Sequence, residues 1–218
     1  MNNHTDLLNH LAAEIGAMSY LEIGVSNRQT NFDKINVRFK IGVDPNPAAQ
    51  ANYQGTSDEF FKINVLKYDL IFIDGLHHAD QVKRDFENSL AALQPGGRIL
   101  IHDTNPESEL LTHVPRDKAG RWLGDVYKFA STLREYAGID FRTVDFDNGC
   151  TVVWRDPGFV GALSDSPVIN WDSFQCNWKR WLRLIAPSEI STLFSQDLVN
   201  SEKPHDYGRR PFKHRQAR

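Results

Sequence analysis

The chain has 218 residues, of which 40% are hydrophobic and 24% are charged, with a formal net charge of -3. These values are typical of an ordinary globular protein and give no reason to expect nucleic acid as a partner. No apolar run approaches the roughly 20 residues that span a bilayer, so we expect no membrane segment and no membrane partner.

The cysteines and the start of the chain bear on the cellular compartment. Cys150 and Cys176 have neither metal-ligand spacing nor the density of a secreted disulfide scaffold. The first residues, MNNHTDLLNHLAAEIG, have no basic flank and no long apolar stretch, so we expect no signal peptide. We therefore predict a cytoplasmic protein.

The N-terminal part of the chain predicts one helix and two buried strands. Apolar residues recur at helical spacing from Leu7 to Ile15, and Gly16 follows as a stop signal. The runs SYLEIGV and KIGVD are typical of parallel strands that are covered on both faces. The second run stops at Asp44-Pro45, where proline cannot continue a ladder.

The central part predicts a strand, a helix and a second strand. The first strand is the apolar run from Asp69 to Ile73, and the helix begins near His77 with its apolar residues on one face. Pro95-Gly96-Gly97 ends this helix before the second strand, Arg98 to Ile101.

Charged side chains follow both strands of this unit. Asp74-Gly75 and two histidines come after the first strand, and His102-Asp103 come after the second. Open α/β sheets place their chemistry at the carboxyl ends of neighbouring parallel strands, so we expect a site at this edge.

The remaining pattern predicts a helix and a hairpin. Apolar residues follow steps of four and three from Trp122 to Tyr136, and Gly138 closes that helix. Asp147-Asn148-Gly149 lies between two β-rich runs, which indicates a hairpin. Strands that alternate with helices and end in a hairpin predict an α/β three-layer sandwich with a mostly parallel sheet.

The ends of the first two strands are typical of a nucleotide-like ligand site. Glu22-Ile23-Gly24 ends the first strand, where glycine lets the backbone approach a ligand, and Asp44 is placed to accept hydrogen bonds from a ribose. Asp44 could also be an ordinary turn residue. A full G-x-G-x-x-G is missing, which argues against a dinucleotide cofactor.

Five segments resemble, in order and spacing, the class I S-adenosylmethionine-dependent methyltransferases. They are YLEIGVS, IGVDPNP, TSDEFF, DLIFIDGLHHADQVKRDFENSLAALQPGGRILIHDTNP and GDVYKF. They are most similar to small bacterial sugar and macrolide-sugar O-methyltransferases, and the resemblance spans about Tyr20 to Trp154. It implies a Rossmann-like fold, with a mostly parallel seven-stranded sheet and an antiparallel C-terminal hairpin.

The resemblance implies a set of residues that bind S-adenosylmethionine. Glu22, Gly24 and Ser26 would line the methionine end of the cofactor. Asp44 would hold the ribose hydroxyls, and Ser57 and Asp58 would lie beside the adenine. The cofactor-binding residues are Glu22, Gly24, Ser26, Asp44, Ser57, Asp58 and Asp74.

The resemblance also implies catalytic residues and a metal site. Asp74 and His77 are the catalytic candidates, with the histidine taking the substrate proton, which an imidazole can do near neutral pH. Asp74, His102 and Asp103 are the metal candidates, with Mg²⁺ as a second cofactor. Imidazole is a softer ligand than carboxylate, so the resemblance supports methyl transfer more strongly than Mg²⁺.

Structural alternatives exist for several of these residues. Asp74 could cap the helix that begins near His77, and His102 could make only a structural hydrogen bond. The tryptophans after residue 157 could form a platform for a sugar, but the helical spacing of Trp178 and Trp181 favours an anchor to the core.

We predict an enzyme, an S-adenosylmethionine-dependent methyltransferase that O-methylates a small hydroxylated molecule such as a sugar or glycoside. One alternative is a non-catalytic S-adenosylmethionine-binding partner subunit of a glycan-processing enzyme. A nucleotide-cofactor oxidoreductase is less favoured because of the first turn. A homo-oligomer is left open.

We divide the chain into three parts. Residues 1–157 would form the S-adenosylmethionine-binding domain, and residues 158–200 a helical appendage packed on it. Residues 201–218 would be a mobile basic tail, because six lysines and arginines stand against two acidic residues from Glu202 to Arg218.

Overall fold

An eight-stranded sheet organises the part of the chain that the computed structural model describes, which is residues 1, 3–117, 119–161 and 168–191. The strands are β1 (Ser19–Ile23), β2 (Phe39–Asp44), β3 (Tyr53–Gln54), β4 (Tyr68–Ile73), β5 (Leu93–Ile101), β6 (Ile139–Val144), β7 (Cys150–Arg155) and β8 (Leu184–Ile185). Their spatial order is β3-β2-β1-β4-β5-β7-β6-β8. Strand β7 is antiparallel to β5 and β6, and the other neighbouring pairs are parallel.

Helices lie on both faces of this sheet. They are α1 (His4–Glu14), α2 (Ser57–Ile63), α3 (Ala79–Ala92), α4 (Val126–Ala130) and α5 (Trp171–Trp181). Ile71 of β4 belongs to one buried cluster with Phe86 of α3 and Phe129 of α4. Its neighbour Phe72 points to the opposite face, where the His4 ring of α1 stacks on it at 5.3 Å. The predicted α/β sandwich and terminal hairpin are confirmed.

The sheet has eight strands where seven were expected. The additional strand, β8, pairs in parallel with the end of β6 through Thr143↔Leu184 and Val144↔Ile185. It covers part of an edge strand that would otherwise present unpaired backbone groups. Two residues are too few to produce a readable periodicity, so the sequence pattern did not predict this strand.

Helix α3 begins later than the sequence predicted. The expected start was near His77, but the first helical residue is Ala79. The Ala79 N–H donates to Asp125 Oδ1 at 2.7 Å, so the capping carboxylate comes from a distant part of the chain. Asp74 is therefore not the cap, and His77 lies in the loop between β4 and α3.

The helix expected from Trp122 to Tyr136 is much shorter than predicted. Helix α4 covers five residues and is followed by a short 3-10 turn at Leu133–Glu135. Gly124 has a φ of 61°, which is outside the right-handed helical region, so the helix cannot extend back through this residue. Trp122 precedes it and donates its indole N–H to the His113 carbonyl at 2.7 Å.

Helix α5 is anchored to α4 by aromatic side chains. Trp181 and Phe174 are buried in one cluster with Tyr127 and Ala130. Trp171 is only partly buried and packs against the same cluster. Trp181 therefore has the anchoring position that its helical spacing predicted.

The chain divides into two units, Met1–Pro187 and Ser188–Arg218, and of the second unit the structure describes residues 188–191. The predicted division at residues 157 and 200 is untested, and the predicted tail 201–218 lies outside the described residues. Within the described ranges, every helix is too short or too polar to cross a membrane.

Glu22 is buried near the end of β1 and helps to order the loop that follows. Its Oε2 atom accepts hydrogen bonds from the Tyr20 hydroxyl at 2.6 Å and from Asn31 Nδ2 at 2.9 Å. Burial raises the pKa of Glu22 to about 8, although both hydrogen bonds favour the charged form. The native protein therefore keeps the Glu22 proton to a higher pH than the unfolded chain does.

A Glu22→Gln variant should show a weaker dependence of stability on pH. The unfolded chain releases the Glu22 proton above the ordinary pKa of 4.5, whereas the native chain keeps it up to about pH 8. Wild-type stability should therefore fall as pH rises through this window, whereas Gln still accepts both hydrogen bonds and carries no charge.

Urea unfolding followed by circular dichroism at about pH 5 and about pH 8 measures this difference. The wild type should lose on the order of 3 kcal/mol more than Glu22→Gln between the two conditions. If the free energy of unfolding changed equally in the two proteins between these pH values, native Glu22 would not hold the proton.

Candidate functional site

The carboxyl ends of four parallel strands form one row at the edge of the sheet. The register aligns Ile23 of β1 with Val43 of β2 and Ile73 of β4, and aligns Ile73 with Ile101 of β5. The residues that follow these four positions are Gly24, Asp44, Asp74 and His102. Backbone N–H groups of three of them continue the ladder, at 2.9 to 3.1 Å from the neighbouring carbonyl. The expected site edge is therefore present.

A cavity of about 550 Å³ opens along this row, within the roughly 300 to 1,000 Å³ usual for ligand sites. The sequence-predicted residues that line it are Gly24, Ser26, Asp44, Ser57, Asp74 and His77. Apolar side chains such as Ile23, Val43 and Leu76 line the cavity with them. Polar groups on a largely apolar wall are the usual composition of a cofactor pocket.

Asp44 combines a structural role with a position on the cavity wall. Its Oδ2 accepts the Ser26 N–H and its Oδ1 accepts the Asn46 N–H, both at 2.8 Å. Asp44 therefore also acts as the turn residue that the sequence allowed, because its carboxylate fixes the loop after β1. A carboxylate can accept about four hydrogen bonds, so the two backbone donors leave acceptor capacity for a ligand.

Two predicted cofactor residues do not line this cavity. Asp58 Oδ1 lies 3.2 Å from Gln81 Nε2 and 3.5 Å from Arg84 Nε, on the surface of α2 and α3. Glu22 lines a neighbouring cavity of about 450 Å³, which shares Gly24, Ser26 and Asp74 with the first. The binding roles of these two residues stay predictions.

His77 is held between two carboxylates at one end of the cavity. Its Nε2 lies 3.5 Å from Asp74 Oδ1, and its Nδ1 lies 3.3 Å from Asp103 Oδ2. The ring stacks on Trp122 with 5.4 Å between centroids and an interplanar angle of 19°. Burial works against protonation, but the Asp74 and Asp103 carboxylates outweigh it and raise the pKa of His77.

The backbone of His77 is also fixed from the α4 side. The Asp125 N–H donates to the His77 carbonyl at 3.1 Å. A Cβ atom on Gly124 would lie 1.8 Å from the same carbonyl oxygen, so only glycine allows this approach. His78 faces another cavity and meets Trp122 edge-on at 6.1 Å. The two adjacent histidines therefore face different cavities.

His102 lies beside both carboxylates. Its Nδ1 is 3.2 Å from Asp74 Oδ1 and 3.4 Å from Asp103 Oδ1. Burial alone would lower the pKa of His102, but the Asp74 charge leads the effects that raise it well above its ordinary value. Burial raises the pKa of Asp103, whereas His102 and His77 overcome burial and hold the pKa of Asp74 below its usual range.

Sequence reasoning missed two residues that complete this group. Asn148 donates from Nδ2 to Asp103 Oδ1 at 3.0 Å, and Trp122 supports the His77 ring. The Asp147-Asn148-Gly149 turn was predicted only as a hairpin. The strand order could have indicated Asn148. Strand β6 runs parallel to β5, so the turn that follows β6 lies at the same edge of the sheet as Asp103. Nothing local marks Trp122, which was assigned to a helix.

A family model for a methyltransferase domain matches residues 28–104. This stretch begins before β2 and ends just after Asp103, so it includes the second, fourth and fifth strand ends and their polar residues. No curated protein sequence matches the chain.

Several solved structures share the fold. An O-methyltransferase from Bacillus cereus in complex with S-adenosylhomocysteine is 15% identical, covers 70% of this chain and 80% of its own, and has a TM-score of 0.54. The methyltransferase PaMTH1 from Podospora anserina, bound to S-adenosylhomocysteine, is 19% identical, with coverages of 70% and 78% and a TM-score of 0.52.

A third structure is the O-methyltransferase TomG from Streptomyces achromogenes in complex with S-adenosylmethionine. It is 14% identical, with coverages of 70% and 79% and a TM-score of 0.52. The predicted resemblance to the class I S-adenosylmethionine-dependent methyltransferases is confirmed in the fold, and the domain match supports an enzyme of that kind. The likeness to the sugar O-methyltransferases stays a prediction.

Proposed function

We propose that this protein transfers a methyl group from S-adenosylmethionine to a hydroxyl of a small molecule, with a sugar or glycoside as the acceptor class. The observation that carries the proposal is the His77 imidazole, held between Asp74 and Asp103 at the end of a cofactor-sized cavity. A base in this position suits an acceptor that loses a proton as it is methylated.

The cavity residues fit the cofactor. Asp44 has acceptor capacity for the ribose hydroxyls, Gly24 and Ser26 would face the methionine end, and Ser57 would lie toward the adenine. When bound, S-adenosylmethionine supplies an activated methyl group, whose transfer breaks a carbon–sulfur bond and leaves S-adenosylhomocysteine. The work left to the protein is to align the acceptor oxygen and to remove its proton.

His77 would take that proton. In its neutral form the imidazole has one nitrogen lone pair, which accepts the hydroxyl proton as the new carbon–oxygen bond forms. The product imidazolium is then stabilised by Asp74 and Asp103, which lie within 3.5 Å of its two nitrogens. Trp122 and the carbonyl contact with Asp125 keep the ring in place during this change of charge.

The acceptor would lie in a second pocket beside the catalytic residues. This pocket has a volume of about 430 Å³, and the aromatic residues that line it include Phe146, Trp171, Phe174 and Trp178. Asn148 lines it as well and donates to Asp103, and this hydrogen bond connects the pocket to the His77 group, whose own residues do not line it. Aromatic faces with amide and carboxylate side chains suit the apolar face and the hydroxyls of a sugar ring.

The residues predicted to bind Mg²⁺ do not suit that ion. Asp74, His102 and Asp103 each offer one ligand atom, and these atoms lie within 4.8 Å of one another. Mg²⁺ prefers an octahedron of oxygen ligands, but one donor here is an imidazole and a second imidazole, His77, lies between the two carboxylates. The Mg²⁺ prediction is untested, and we assign no step of the reaction to that ion.

The non-catalytic partner subunit remains the second candidate. It would need the cofactor cavity but not a histidine placed between two carboxylates, so the arrangement of His77 favours the enzyme. TomG is described as taking part in tomaymycin synthesis, which supports a small-molecule acceptor here too. We keep the cytoplasm as the proposed compartment, supported by the free cysteines Cys150 and Cys176.

Asp44→Ala should weaken the binding of S-adenosylhomocysteine by on the order of 1 to 3 kcal/mol, because the ribose hydroxyls lose a buried acceptor and the Ser26 loop loses its anchor. Isothermal calorimetry measures the change. Asp172→Ala, which removes an exposed carboxylate from α5, is the matched control and should bind as the wild type does. Unchanged affinity in Asp44→Ala would remove this residue from the cofactor site.

His77→Ala should lower kcat by roughly 10²- to 10⁴-fold and leave the affinity for S-adenosylhomocysteine nearly unchanged. The neutral form of His77 is the base and its pKa is raised, so wild-type kcat should increase with pH through an apparent pKa above 6.5. This limb of the profile should flatten in the variant.

His78→Ala is the internal control, because His78 faces a different cavity. It should retain the wild-type rate and pH profile. Loss of activity in His78→Ala together with a normal rate in His77→Ala would contradict the proposed mechanism.

Turnover measured as S-adenosylhomocysteine release should appear with hydroxylated glycosides. Trp171→Ala should raise KM for such an acceptor roughly 3- to 10-fold with little change in kcat, because an aromatic face is lost. Phe39→Ala, which removes an exposed aromatic side chain at the start of β2, is the control. Turnover of other hydroxyl compounds but of no glycoside would rule out the sugar class and leave methyl transfer standing.

A further inference from the structure

A second group of possible ligand atoms lies on the other side of His102, next to the start of α1. Asp147, in the turn between β6 and β7, has its Oδ2 2.7 Å from His4 Nδ1 and 3.6 Å from His102 Nε2. His4, His102 and Asp147 each offer one ligand atom, and the three atoms lie within 4.8 Å of one another. The three atoms lie close enough to share one ion, which would replace the 2.7 Å hydrogen bond between His4 and Asp147.

His102 Nε2 needs a partner that the described residues do not supply. The His102 side chain is 8% exposed, and within the described ranges its Nε2 is buried without a hydrogen-bond partner. The 3.6 Å to Asp147 is too long for a hydrogen bond. Buried polar atoms are nearly always paired with protein, ordered water or a ligand, so His102 Nε2 is available to a ligand on this side of the ring.

The three side chains are held in place by separate contacts. His4 is the first residue of α1, and its ring stacks on Phe72 and meets the His102 ring edge-on at 4.6 Å. The His4 backbone N–H donates to Asp147 Oδ2 at 2.7 Å. The Asp147 carboxylate is therefore held toward the two imidazoles from the α1 side.

We propose that His4, His102 and Asp147 bind a divalent first-row transition-metal ion. Two imidazoles and one carboxylate are a donor set that such ions prefer, whereas Mg²⁺ and Ca²⁺ prefer oxygen. Three protein ligands leave coordination positions for water. This inference goes beyond the proposed function and does not depend on methyl transfer.

The ion would also determine which nitrogen of His102 carries the proton. A neutral imidazole has one lone pair, so Nε2 bound to the ion leaves Nδ1–H to donate to Asp74 Oδ1, which is 3.2 Å away. A carboxylate that accepts from a metal-bound histidine is the usual support for such a ligand. His102 would then be unable to bind a second ion through Nδ1, and the Asp74, His102 and Asp103 group would lose its imidazole donor.

Zinc binding to the full chain, stripped of metal and free of any histidine tag, tests the proposal. Calorimetry should show one site. His4→Ala and Asp147→Asn should each weaken Zn²⁺ binding by more than about 100-fold. Substituting a residue that only supports a metal ligand usually lowers the affinity by about 10- to 100-fold. His10→Ala, which removes another histidine of α1, should bind Zn²⁺ as the wild type does. Asp103→Asn changes a neighbour of His102 outside the proposed ligand set, so it should weaken binding much less than either ligand variant.

The wild type gives a measurement that does not depend on how the variants fold. Crystals soaked in Zn²⁺ should show an anomalous peak within coordination distance of His4, His102 and Asp147. A peak between Asp74 and Asp103, binding lost in Asp103→Asn but kept in His4→Ala, or no bound zinc would each overturn the proposal.

Discussion

Asp74 and Asp103 can lie side by side at the edge of the sheet because imidazoles separate them. Two neighbouring carboxylates removed from water repel each other and lose their hydration, which costs several kcal/mol per ion unless opposite charges lie close by. His77 and His102 each lie within 3.5 Å of both carboxylates. The chemistry of the site depends on this balance, since neither histidine can change its charge without affecting both acids.

The direction of each chain segment decides which residues reach this balance. Strand β6 runs parallel to β5, so the turn after β6 lies at the same edge as Asp103 and brings Asn148 to it. Helix α1 ends shortly before β1 begins, so its first residue, His4, lies at the carboxyl edge of the strands. A hairpin and a helix that carry no recognisable catalytic motif thus complete a site that the parallel strands begin.

The sequence predicted the features that depend on one element at a time. Short apolar runs locate the strand ends, and because parallel strands end at one edge, they place Asp44, Asp74 and His102 in one row.

The features that were not predicted depend on contacts between distant segments. The Asp125 carboxylate caps the start of α3 from 46 residues further along the chain, and the two-residue strand β8 is defined by its pairing with β6. Trp122 supports the proposed base only because the chain turns before α4. In each case tertiary packing overrides or completes a local signal.

His102 couples the two groups of charged residues at the sheet edge. Asp74 lies at one ring nitrogen, and Asp147 and His4 lie toward the other. When His102 is protonated, it neutralises part of the negative charge between Asp74 and Asp103. With the proposed ion on Nε2, the ring would be neutral, and the counterbalancing positive charge would lie on the metal at the far side of the ring. His77 would then be the nearest cation to both acids. An ion bound by His4, His102 and Asp147 would therefore change the electrostatics of the proposed base through the His102 ring, which contacts both groups.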